Sequence, residues 1–204
     1  MVLSICLFRC SSEENNSIDE NLDKSFYRGM DLSFQSELED SNINYKNEDG
    51  DTVELLNFLK SKGANLVRLK LWHTPQDGEN GLEDIKYYAQ KVKSKNMDFL
   101  LNIHYSDYWA DPGTQTPPSA WQNLAFNNLK DSVYLYTKNV VSELKIHNAM
   151  PKIIQIGNET DSGFLWNHGR VWDNFNDNWA NYAALVAEAI RAINDVDTEN
   201  KIKI

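Results

Sequence analysis

From residue 26 to the C-terminus, short apolar runs alternate with longer stretches whose apolar residues recur every three or four positions. Phe26–Asp31, Leu66–Leu71, Met97–His104 and Ile153–Ile156 have strand character. Between them, helical stripes run through Val53, Leu56 and Lys60, through Leu82, Ile85, Ala89 and Val92, and through Val133, Tyr136, Val140 and Leu144. A fourth stripe follows through Tyr182, Leu185, Val186, Ala189 and Ile193, and Lys201–Ile204 begins a fifth strand. Gly63 sits where the first stripe stops and suits a left-handed helix cap. Strand and helix thus alternate about four times. A chain built this way folds as parallel strands joined by helical crossovers.

Two α/β architectures satisfy that pattern: an open doubly wound sheet and a (β/α)8 TIM barrel. The loops after the strands are long and rich in polar and aromatic residues, whereas those after the helices are short. That asymmetry favours the barrel, which carries its chemistry on the loops at the strands' C-terminal ends. A nucleotide- or phosphate-binding doubly wound sheet would need a glycine-rich loop after its first strand, and none is present. A barrel runs to about 250 residues. The expectation is therefore an incomplete barrel, with the first four βα units and the start of strand five.

Composition narrows the partners. The 204 residues are 41% hydrophobic and 25% charged, as in a globular chain. The net charge of −10 disfavours nucleic acid as a partner but leaves neutral sugars open. Six Trp and nine Tyr suit either core packing or stacking on sugar rings. The two cysteines, Cys6 and Cys10, both lie at the start, which excludes a disulfide framework or Cys-ligated zinc in the body of the chain. The apolar run Val2–Phe8 resembles the apolar region of a secretory signal. With Cys10 as the lipidated residue, residues 1–10 read as a bacterial lipoprotein signal, 11–24 as a polar linker and 25–204 as the barrel. This places the chain in the cell envelope or on the surface, or alternatively makes it secreted or periplasmic. Any membrane contact would be through the lipid anchor alone, and a monomer is expected.

The strand ends hold the candidate chemistry. Glu159, in Gly157-Asn158-Glu159-Thr160, would project into the barrel mouth and could serve as a proton donor, or could simply cap the turn. Asn158 could hydrogen-bond a sugar hydroxyl. Arg68 lies between apolar neighbours within strand two, where a charge is costly unless it reaches carboxylates. The loop His104-Tyr105-Ser106-Asp107-Tyr108-Trp109-Ala110-Asp111-Pro112 supplies Trp109 as a stacking platform, His104 as a donor and Asp111 as a further polar contact, or else is a structured loop around a core Trp. Asp31, ending strand one, is similarly ambiguous. His73, His147 and His168 show no ligand spacing, so no metal is expected.

Four stretches make these residues more specific: Arg28-Gly29-Met30-Asp31-Leu32-Ser33, the run Gly63 to Trp72, the loop His104 to Pro112, and Gln155-Ile156-Gly157-Asn158-Glu159-Thr160. In this order the sequence resembles glycoside hydrolase family 53, the endo-β-1,4-galactanases that degrade arabinogalactan. The resemblance spans essentially all of residues 25–204. It implies a (β/α)8 barrel and a retaining mechanism with two glutamates, and it needs no cofactor in this part, with calcium possible elsewhere. Glu159 maps onto the acid/base and Asn158 onto the residue that binds the hydroxyl beside the reacting carbon. Arg68 would hold the nucleophile ionised, and His104 and Trp109 would line the cleft; Asp31 and Asp111 are kept as further substrate-binding candidates. The nucleophile belongs to strand seven, which this sequence does not reach, so little hydrolysis is expected of these residues alone. The alternatives are a carbohydrate-binding surface protein without turnover, or a related hydrolase acting on mannan, xylan or glucan.

Overall fold

The computed structural model describes residues 26–175 and 178–204. Cys10, the signal reading of residues 1–10 and the linker of 11–24 lie outside the described residues. Four parallel strands form one sheet: β1 (Gly29–Asp31), β4 (Leu66–Leu71), β5 (Asp98–Ile103) and β6 (Ile153–Ile156). Their order in the sheet, β1-β4-β5-β6, is their order in the chain. A doubly wound sheet reverses direction at a switch point; this one does not, and it forms an incomplete α/β barrel. Beyond β6 the fifth strand is only a bridge, Ile153 opposite Lys203, with Ile154 N donating to Lys203 O at 2.8 Å.

Strand alternation decides which face carries chemistry. On β4, Val67, Leu69 and Leu71 are buried against the helices, as are Phe99, Leu101 and Ile103 on β5. They meet Ile85, Ala89 and Val92 of α3 (Leu82–Ser94), and Val133, Val140 and Leu144 of α4 (Phe126–Ile146). Leu185, Ala189 and Ile193 of α5 (Trp179–Val196) complete this core. Removing such a buried Leu costs about 2–5 kcal/mol. The opposite, barrel-interior face carries Arg68 and Lys70 on β4, and Asn102 on β5 directly opposite Lys70.

Three helices end alike. After α2 (Leu55–Ser61), Gly63 takes φ 92°, Gly63 N donates to Lys60 O and Ala64 N to Leu59 O. Asn96 and Asn148 repeat this backbone after α3 and α4, with φ 53° and 54° and the same pair of hydrogen bonds. This closure satisfies the last helical carbonyls and turns the chain directly into the next strand.

Between β1 and α2 the chain makes elements that periodicity did not predict: α1 (Gln35–Asp40) and a hairpin of β2 (Tyr45–Lys46) and β3 (Thr52–Val53). Val53 is therefore a strand residue, and α2 begins after Glu54, whose carboxylate accepts from Leu56 N and Asn57 N. β1 itself is shorter than Phe26–Asp31 because only Gly29, Met30 and Asp31 find partners on β4.

Candidate active site at the strand ends

Arg68 organises the barrel-interior face. Its Nη1 is ion-paired with Asp31, and its Nη2 donates to Asn158 Oδ1 at 2.7 Å and to Asn102 Oδ1 at 3.0 Å. One guanidinium therefore ties β1, β4, β5 and the end of β6 together. Asn102 in turn donates to Gly157 O at 2.8 Å, and Asn158 Nδ2 donates to Ala110 O at 2.8 Å. Burial pushes the Asp31 carboxyl up, but hydrogen bonds from Ser33 and Arg68 outweigh it and hold the group below the usual carboxylate range.

The turn after β6 presents Glu159. Gly157 takes φ 77°, and a Cβ there would lie 2.5 Å from Thr160 Cγ2, so only glycine fits. Glu159 itself is left-handed, φ 47° and ψ 54°, a conformation that costs a non-glycine residue about 1–2 kcal/mol. It is held there by Gln115, a buried side chain whose Nε2 lies 2.7 Å from Asn158 O, 3.2 Å from Glu159 O and 3.0 Å from Asp111 O. The result is an exposed carboxylate beside a buried, doubly hydrogen-bonded Asn158. Strain held in place by surrounding structure is typical of working sites.

The loop after β5 forms the adjacent wall. His104 is 1% exposed; its Nδ1 accepts from Ala110 N at 3.2 Å, which leaves the proton on Nε2. Burial, with Arg68 and Lys70 nearby, pushes its pKa down to about 3, so the ring is a neutral donor. Nε2 has no hydrogen-bond partner among the described residues. The ring of Trp109 packs edge-on against His104, 5.3 Å between centroids, and remains exposed. Asp111 accepts from Gly113 N through Oδ1 and closes a tight turn that ends at Thr114. Asp107 accepts from Thr74 N, Ser119 N and Ser119 Oγ and pins this loop to its neighbours.

Of the residues that sequence singled out, Arg68, Asp31 and Asn158 share one hydrogen-bonded network, with Glu159 next in the chain. His104 and Trp109 join it through Ala110. Asp111 joins it only through its backbone carbonyl on Gln115. Sequence reasoning missed Gln115, Asn102 and Lys70. Asn102 and Lys70 carried a signal, because each lies two residues from a candidate on the same strand face. Gln115 had none, since its role depends on where two distant loops meet. Among the described residues no three His, Cys, Asp or Glu side chains group as a metal site would require.

Comparison with known proteins places this geometry. Residues 27–204 match the sequence model of glycosyl hydrolase family 53. An uncharacterised protein from the bgaB 5′ region of Niallia circulans is 41% identical over 185 residues, covering 89% of this chain and 50% of that protein. An arabinogalactan endo-β-1,4-galactanase from Thermothelomyces thermophilus is 36% identical over 178 residues, covering 87% of this chain and 52% of that one. Among solved structures, the GH53 catalytic domain of Ignisphaera aggregans superposes with a TM-score of 0.81 at 37% identity, covering 88% of this chain and 50% of that one. A fungal β-1,4-galactanase does so at 0.81 and 36%, covering 87% and 52%. The chain spans about half the length of the relatives it matches. Strand order, the clamped Asn158-Glu159 turn and these likenesses agree: the chain belongs to glycosyl hydrolase family 53.

Proposed function

We propose that the protein hydrolyses β-1,4-galactan, with Glu159 as general acid and then general base of a retaining double displacement. The observation that carries this reading is the exposed Glu159, whose backbone Gln115 holds at the end of β6 beside an Asn158 that Arg68 and Ala110 hold from both sides. In the first step Glu159 protonates the glycosidic oxygen as a second carboxylate attacks the anomeric carbon. In the second, the same residue takes a proton from the incoming water. By its resemblance to the family, the second carboxylate belongs to a later strand; the Asp31 carboxylate, engaged by Arg68 and Ser33, is not given that role. In this reading Asn158, its amide held by Arg68 and Ala110, binds the hydroxyl beside the reacting carbon. The galactan assignment draws on the galactanase relatives and on the His104–Pro112 loop.

The test is release of reducing ends from β-1,4-galactan, β-1,4-mannan, xylan and β-1,4-glucan by the whole protein, with the product anomer followed by NMR. Galactan cleavage with retention of the anomeric configuration supports the reading. Preference for another glycan overturns the substrate, inversion overturns the mechanism, and binding without release overturns both in favour of a carbohydrate-binding protein.

A further inference from the structure

The Lys70 side chain makes none of the hydrogen bonds above, yet its placement is unusual. It projects from the same face of β4 as Arg68, is 0% exposed, and its Nζ has no hydrogen-bond partner among the described residues. Instead Nζ lies 3.1 Å from the centroid of the Phe34 ring, 4.6 Å from Trp72 and 5.2 Å from Trp109. Burial lowers its pKa to about 8, so it is still charged at neutral pH. Taking an ammonium out of water is costly, and contacts with aromatic faces offset part of that cost. A neutral apolar side chain would fill the same space at lower cost.

The rings it touches suggest what the charge does. Phe34 follows β1 and Trp109 follows β5, the two neighbours of β4 in the sheet. Both converge over the strand between them, and both remain open to solvent, Phe34 by 50% and Trp109 by 40%. Trp109 is followed by Ala110, whose carbonyl holds Asn158 next to Glu159. Both rings thus meet at Lys70 Nζ, and the Trp109 ring stands one residue from the carbonyl that holds Asn158, the chain neighbour of the proposed acid/base. A galactosyl unit suits such a surface: its axial O4 leaves the hydrogens of C3, C4 and C5 on one face, a continuous apolar patch that stacks on aromatic rings. An equatorial O4, as in glucose, breaks that patch.

Resting on the galactan reading of this cleft, we propose that Phe34 and Trp109 form a two-ring platform for a galactosyl unit, and that Lys70 is the positioning residue that pins both rings from beneath. Phe34 touches the sugar; Lys70 acts through the rings.

The experiment is steady-state hydrolysis of β-1,4-galactan by the whole protein and its Phe34→Ala, Lys70→Met and Lys70→Arg variants. Phe34→Ala is expected to raise KM about three- to tenfold, several times more than it lowers kcat. Lys70→Met keeps the stem and loses the charge; it raises KM in the same sense, and Lys70→Arg restores most of it. An unchanged KM in Phe34→Ala overturns the platform and leaves the galactanase reading standing. A fall in kcat at constant KM in Lys70→Met, or failure of Lys70→Arg to restore KM, overturns the positioning role. Absence of galactan turnover by the unaltered protein overturns both readings. Phe34 is half exposed, so its variant tests the platform even if Lys70→Met fails to fold.

Discussion

The two ends of the sheet use the same left-handed backbone for different purposes. At the ends of α2, α3 and α4, where the chain returns to the next strand, the left-handed residues are Gly63, Asn96 and Asn148, which adopt it cheaply. At the opposite end, after β5 and β6, they include Tyr105 and Glu159, which do not. Tyr105 is held by its buried ring and by the hydrogen bond between its hydroxyl and Thr137 Oγ1 at 2.7 Å. Glu159 is held by Gln115. One end is built for economical turns, and the other accepts strain to aim side chains.

Glu159 offers the sharpest way to break this contrast. Glu159→Gln keeps the shape and removes the proton donor, and galactan turnover should fall about 10²–10⁴-fold with the melting temperature unchanged. Glu159→Gly should abolish turnover yet raise stability by about 0.5–1 kcal/mol, because glycine relieves the left-handed strain. A loss of stability on denaturant unfolding would mean that Glu159 is not strained. His104 offers a second route. Its ring stays neutral to about pH 3 when folded but binds a proton below about pH 6.5 when unfolded. Its contribution is thus complete above pH 6.5 and is lost as pH falls towards 3, at about 1.4 kcal/mol per unit and about 3–5 kcal/mol in all. Urea titrations from pH 7 to pH 4 should show a steeper acid loss in the wild type than in His104→Asn, which can still accept from Ala110 N.

Smaller effects follow from the supports. Gln115→Leu strips the amide from three carbonyl oxygens, costs about 1–3 kcal/mol on thermal unfolding, and lets the Glu159 turn relax. Turnover should fall with it, by up to about 100-fold for a misplacement of about 1 Å. At the opposite end, Gly63→Ala should cost about 1 kcal/mol with no change in kcat. Asn148→Gly should alter stability by no more than about 0.5 kcal/mol. If Gly63→Ala impaired turnover as much as Gln115→Leu, the division between the two ends would be wrong.

The economical end was the legible one. Gly63 after a helical stripe and Lys95-Asn96 after the next are recognisable stops, and alternation of β and α places the strands between them. The segment from Phe34 to Val53 escaped because a six-residue helix and two-residue strands are too short to show a period. It is held by tertiary contacts such as Tyr45 OH donating to Gln35 Oε1 at 2.8 Å. Its one local signal was Asp49-Gly50 at the hairpin turn, where Gly50 has φ 88°. At the strand ends, residue type singled out Arg68, Asn158 and Glu159 as candidates. The strain of Glu159 and the carbonyl-binding role of Gln115 exist only once the loops after β5 and β6 meet, so no local pattern encodes them.

The most direct test of Glu159 as acid/base compares two leaving groups in the Glu159→Gln variant of the whole protein. With galactan the departing sugar needs its proton; with a dinitrophenyl β-galactobioside the departing phenolate does not. Turnover of galactan should collapse, formation of the glycosyl-enzyme from the activated substrate should survive, and added azide should speed its breakdown to a β-glycosyl azide. Equal losses on both substrates, with no response to azide, would contradict the assignment.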